Sequence, residues 1–108
     1  MREVDWNNHE NKQLIKAFLA LETTEETKHF LRDLMTKKEI IEFGNRLQAA
    51  VMLTKRVHYN AIEEKTGLSS TTVARVSKWL KGKEGGYRTI INKLHHRHQT
   101  AQSERGLS

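Results

Sequence analysis

Between Ser69 and Lys83 the chain carries four basic residues and no acid. Small side chains come first: Ser70, Thr71, Thr72 and Ala74 offer hydroxyl and methyl groups, and Arg75, Lys78 and Lys81 follow at helical spacing. Small groups near a helix N-terminus let the backbone approach base edges, whereas longer cations farther along reach phosphates. Ser69 suits the N-cap of that helix, whose N-terminus adds its own partial positive charge. With Asn60 upstream, these residues form a candidate DNA-binding set: Asn60, Ser69, Ser70, Thr71, Thr72, Ala74, Arg75, Lys78 and Lys81. A solvated basic face is the alternative, and a polyanion partner fits the one-sided charge better.

Other chemistry is poorly supplied. The chain has no Cys, which excludes a disulfide framework, a Cys-ligated zinc site and thiol catalysis. His95, His96 and His98 cluster late in the chain, with His58 or His29 available to complete a metal site. Late cationic residues more often complement a helix C-terminus, and no metal is expected. The run Gly82-Lys83-Glu84-Gly85-Gly86 lacks the strand context of a phosphate-cradling loop and reads as a linker. Glu25-Glu26 and Glu63-Glu64 suit first-turn and solvated-face roles. No nucleophile-and-base set stands out, so the chain is not expected to be an enzyme.

The basic helix needs a partner to aim it. Ile62 to Val76 fits a helix-turn-helix frame, with Ile62, Thr66, Leu68, Val73 and Val76 inward and Gly67 at the tight turn. Two short helices crossing steeply share a small apolar contact, and a Gly-containing turn reverses the chain quickly enough to make it. Glu63 departs from this frame, because a small residue is usual where the helices approach; the frame holds there only with its carboxylate turned outward.

The remaining elements read as helices. One spans roughly Asn8 to Leu21, with Leu14, Ile15, Phe18, Leu19 and Leu21 too widely spread for a single neighbour. Thr23 with Glu26, and Thr36 with Glu39, form capping-box signatures that open a second helix to Met35 and a third toward Thr54. The third carries Ile40, Phe43, Leu47 and Val51 on one stripe and Ile41, Gly44 and Met52 on another, implying burial between two partners. Tyr59–Thr66 and a helix to Lys81 follow, then a last helix from about Tyr87 to His98. No segment alternates with period two for long enough to suggest a sheet. The absence of Pro, with 6 Gly in 108 residues, suits helices joined by short connections. Hydrophobic residues make up only 36%, lean for a self-sufficient core and suggestive of a shared dimer core. Charge divides sharply: the first 54 residues carry a net −1 and the last 54 a net +7, within a total of +6. No stretch approaches the ~20 apolar residues of a membrane span, and no signal peptide is evident, so a cytoplasmic location is expected.

From about residue 20 to 95 the chain resembles the tryptophan repressor family, including its tryptophan-repressor-like branch. The matching stretches are Phe30-Leu31-Arg32-Asp33-Leu34-Met35-Thr36 and Phe43-Gly44-Asn45-Arg46-Leu47. Ile62 to Gly67, Thr72-Val73-Ala74-Arg75 and Gly85-Gly86-Tyr87-Arg88 complete the match. The resemblance implies an all-α, six-helix, intertwined homodimer that binds near-palindromic operator DNA through paired helix-turn-helix units. A two-fold dimer would place its recognition helices about one DNA turn apart. It also implies a ligand pocket, since in the family tryptophan meets two arginines that match Arg46 and Arg75, and Thr36 and Thr72 match pocket positions. Here Val76 replaces a small Gly, and Trp79 stands where the family has a Ser. These put bulk in the place of ligand, so Trp79 is expected to fill the cavity and L-tryptophan is not expected to be required, with regulation left to protein level or another small effector.

The expected organisation is an N-terminal helical arm (1–22), a Trp-repressor-like helix-turn-helix domain (23–98) and a flexible tail (99–108). The expected function is sequence-specific DNA-binding transcription regulation, as a repressor, on double-stranded DNA. The alternative is a helical dimeric protein-interaction or RNA-binding module that lacks operator recognition. The segment 69–78 separates them: a DNA reader exposes polar and basic side chains there, and an interaction module exposes apolar ones.

Overall fold

A computed structural model of the chain describes residues 3–107, with side chains from 3 to 96. The described residues form six helices and no strand: α1 (His9–Leu19), α2 (Thr24–Leu34), α3 (Lys37–Thr54), α4 (Tyr59–Thr66), α5 (Ser70–Lys81) and α6 (Gly86–Leu107). They divide into two compact units, Met1–Ile40 and Ile41–Ser108, with the division inside α3. Among the described residues no helix is long and apolar enough to cross a membrane.

In the first unit the helix starts are set by side chains that satisfy otherwise orphaned backbone N–H groups. The Asn8 side chain accepts the Asn11 N–H at 2.8 Å and starts α1. Thr23 Oγ1 accepts the Glu26 N–H at 3.1 Å to start α2, while the Glu26 carboxylate accepts the Glu22 N–H at 3.0 Å, one residue ahead of the cap. Thr36 and Glu39 close a fully reciprocal capping box on α3, with bonds of 3.1 Å and 2.9 Å. The Thr36 backbone N–H bonded to the carboxylate, and the Thr36 hydroxyl after it, hold the Glu39 carboxyl below its ordinary pKa. The Phe18 and Phe30 rings meet edge to face at 5.6 Å and link α1 to α2. Yet no residue of α1 or α2 is buried, and Leu14, Ile15, Phe18 and Leu19 are exposed in the single chain.

The second unit holds the core. Ala49 and Ala50 of α3, Ile62 of α4, and Val73 and Val76 of α5 form one buried cluster. Met52, Leu53, Val57, Leu68, Tyr87 and Ile91 pack around it, so α3, α4, α5 and α6 all contribute. In the single chain the two expected stripes of α3 are only partly covered. The alanine pair is fully buried, whereas Ile41 and Phe43, members of the two expected stripes, are exposed. Methyl side chains let helices approach closely, a packing solution that a search for bulky apolar residues passes over. The last helix also runs farther than His98, carrying helical backbone to Leu107 through the segment expected to be a flexible tail. No Pro and no Gly before Gly106 interrupts it.

Candidate nucleic-acid interface

The α4–α5 pair is built by local hydrogen bonds before packing is considered. Thr66 Oγ1 donates to the Ile62 carbonyl at 2.7 Å and accepts the Leu68 N–H at 3.2 Å, bridging the helix end and the turn. Gly67 stops α4 with φ 74°, the left-handed region where a side chain is penalised, and its N–H bonds the Glu63 carbonyl. Two residues later Ser69 Oγ accepts the Thr72 N–H at 3.1 Å and starts α5. Ile62, Thr66, Val73 and Val76 are buried and Leu68 is half-buried, so all five inward positions of the frame face protein. Glu63, the disagreeing position, is half-buried.

The opposite face of the pair is open. Asn60, Ser69, Ser70, Thr71, Ala74, Arg75, Lys78 and Lys81 are all exposed. Thr72 differs from its neighbours: it is half-buried, and its hydroxyl accepts a 3.0 Å bond from Ser69 Oγ. It serves the helix start first. Behind this face Val73, Val76, Ser77 and Leu80 are buried, which fixes the rotation of α5 about its axis. The outer row therefore presents hydroxyls near the helix N-terminus and three cations beyond them, with no acid on the helix.

The residues expected to form a ligand pocket are dispersed among several roles. Thr36 belongs to the first unit, where it caps α3. Arg46 interacts along its own helix, 3.5 Å from Glu42 Oε2 and 5.7 Å above the Phe43 ring, and its buried Nε has no hydrogen-bond partner. Arg75 is exposed, and Val76 is only 2% exposed within the core. Trp79, expected to fill a cavity, is 53% exposed and instead borders a 440 Å³ groove with Leu47, Glu84, Tyr87 and Ile90. None of Arg46, Arg75 and Val76 lines that groove. Among the described residues no three His, Asp or Glu side chains gather as a metal site; the side chain of His98 lies outside those described.

The roles of two further arginines escaped the sequence reading. Arg88 Nη1 donates to the Leu80 carbonyl, tying the first turn of α6 to the last turn of α5. Gly85 makes room for it, since a Cβ there would lie 3.0 Å from the guanidinium, and φ at Gly85 is 69°. The run Gly85-Gly86-Tyr87-Arg88 is thus one device: a turn and its tether. Arg56 is the second, a non-glycine residue with φ 61° at the end of α3. The expected sign of a helix stop is Gly, and none stands between Gly44 and Gly67.

Fold and site together define an all-helical helix-turn-helix protein. Residues 9–95 match the model of the Trp repressor protein family, so the chain belongs to that family of regulators, and the match reaches farther toward the N-terminus than the motifs that first suggested it. The uncharacterized protein YerC of Bacillus subtilis (strain 168) is 34% identical over 82 residues, 76% of this chain and 79% of YerC. A TrpR-like protein from Eubacterium eligens ATCC 27750 shares the fold with TM-score 0.78 and 33% identity, covering 83% of this chain and 93% of that one. A candidate Trp repressor from Staphylococcus aureus aligns equally well, with TM-score 0.78 and 32% identity over 82% of this chain and 89% of its own.

Proposed function

We propose that the protein is a sequence-specific DNA-binding transcriptional regulator, a cytoplasmic homodimeric repressor that reads a near-palindromic operator with α5. One observation carries the reading. The exposed row of α5 is hydroxyl-rich at its start, cationic farther on and free of acid, while buried Val73, Val76 and Leu80 hold it outward. That order suits a recognition helix whose N-terminal residues meet base edges and whose later cations meet phosphates. The apolar faces left open on α1, α2 and α3 support a second copy as the partner that covers them. An interaction module would instead expose apolar side chains along 69–78, and there the exposed positions are polar, small or basic.

Regulation by free tryptophan is not part of the proposal. Val76 fills core space, and an indole belonging to the chain, Trp79, already stands at the groove beside α6. Sequencing the DNA that copurifies with the protein tests the central claim. Recovery of a shared near-palindromic sequence is expected, and recovery of random fragments at all salt concentrations would overturn it.

A further inference from the structure

The end of α3 is closed by an arginine where glycine is the usual residue. The Val57 N–H bonds the Met52 carbonyl and the Arg56 N–H bonds the Leu53 carbonyl, the paired bonds of a Schellman motif. Its left-handed position falls on Arg56, and a residue with a Cβ is penalised there. The strained residue stands at the mouth of a 670 Å³ pocket that is separate from the Trp79 groove. Leu53, Val57 and Leu80 supply the apolar part of its lining, and Arg56, His58 and Lys81 the basic part. Tyr59 and Asn60 add hydrogen-bonding groups, and no acid lines it. Asn60 lies in the first turn of α4 and Lys81 ends α5, so this mouth is continuous with the exposed face of the helix-turn-helix unit.

We infer that the mouth holds a phosphodiester of the DNA backbone beside the groove that α5 enters, with Arg56 and Lys81 as its cations. The inference rests on the DNA-binding reading and adds a contact outside the recognition helix. A guanidinium matches phosphate oxygens through a fork of donors, and an ammonium meets them as a point charge. Apolar walls next to the cations keep water away from one side and strengthen the attraction. Free phosphate has the same chemistry. The mouth is open, and the helix-turn-helix elements α4 and α5 border it, which favours a backbone running past over a small anion enclosed within.

The test uses the full chain and a duplex that it selects. Arg56→Gly removes the cation and relieves the left-handed backbone, so its melting temperature should equal or exceed that of the unmodified protein. Its affinity should fall roughly five- to tenfold for selected and unrelated duplexes alike, with the slope of log affinity against log salt shallower by about 1. Arg56→Lys should recover most of the affinity. If the unmodified protein binds DNA and Arg56→Gly retains both affinity and slope, this inference is overturned and the DNA-binding reading stands. If the unmodified protein binds no duplex, that reading falls and takes this one with it. Submillimolar binding of inorganic phosphate that depends on Arg56, alongside duplex binding that does not, would also overturn it in favour of a small-anion site.

Discussion

Single side chains divide the proposed interface into readers and anchors. Thr71 is exposed in the first turn of α5 with no structural hydrogen bond in the local cap network, whereas Thr72 is committed to Ser69. Thr71→Ala should therefore relax sequence preference, costing about 1–3 kcal/mol on the preferred duplex if a base contact is lost. Lys78→Ala should weaken all duplexes alike and flatten the salt dependence, because a phosphate contact carries no sequence information. Gel-shift titrations of selected and scrambled duplexes at two salt concentrations separate the two effects. The exposure of Arg75 and Lys78 was legible because charge and helical spacing can be read from a sequence. The left-handed backbone of Arg56 was not, because nothing in its side chain signals it. Val76 and Trp79 were legible as departures from the family, and they lead to a prediction about ligand. Calorimetric titration with L-tryptophan should show no micromolar binding, and DNA affinity should be the same with and without it. Tight binding with a clear gain in DNA affinity would restore a tryptophan-sensing repressor.

Helix by helix, the starts were legible and the burial was not. Asn8, Thr23, Thr36 and Ser69 each cap through a side-chain oxygen, and Gly67 ends α4 in the left-handed region. These are instructions between residues within four positions of one another, which is why they can be read without the fold. Ala49 and Ala50 gain their importance only from what approaches them, so their place at the centre of the core has no local mark. The capping box on α3 supports a prediction with a definite sign. Because the Glu39 carboxyl is held below its ordinary pKa, its ionised form contributes stability above the ordinary glutamate range. That contribution disappears as pH falls through the lowered folded value. Glu39→Gln keeps an acceptor for the Thr36 N–H and discards the charge. The unmodified protein should melt above the variant at neutral pH, and the gap should close on acidification, as followed by circular dichroism. A gap that widens in acid would contradict the assignment.

At the scale of the molecule the dominant fact is what a single chain leaves uncovered. Neither α1 nor α2 buries a residue, and Ile41, Phe43, Ile90 and Leu94 are exposed as well. Sedimentation at micromolar concentration should give a dimer if a second copy covers these faces, because obligate homodimer interfaces often bury more than ~2,000 Å². A folded species at the chain mass of 12.6 kDa would refute the homodimer. The open apolar faces were legible in the sequence, but a pattern cannot say whether a face meets its own chain or another. The lack of burial in α1 and α2 also bears on kinetics. Helices of 11 residues without a core are marginal by themselves, so in the proposed homodimer their ordering would wait for an encounter between chains. Refolding should then contain a second-order phase, with a half-time that shortens on raising the chain concentration. In a cell the same dependence would leave newly made, unmatched chains open to proteases until a second copy arrives, so the amount of working regulator would rise more steeply than its rate of synthesis.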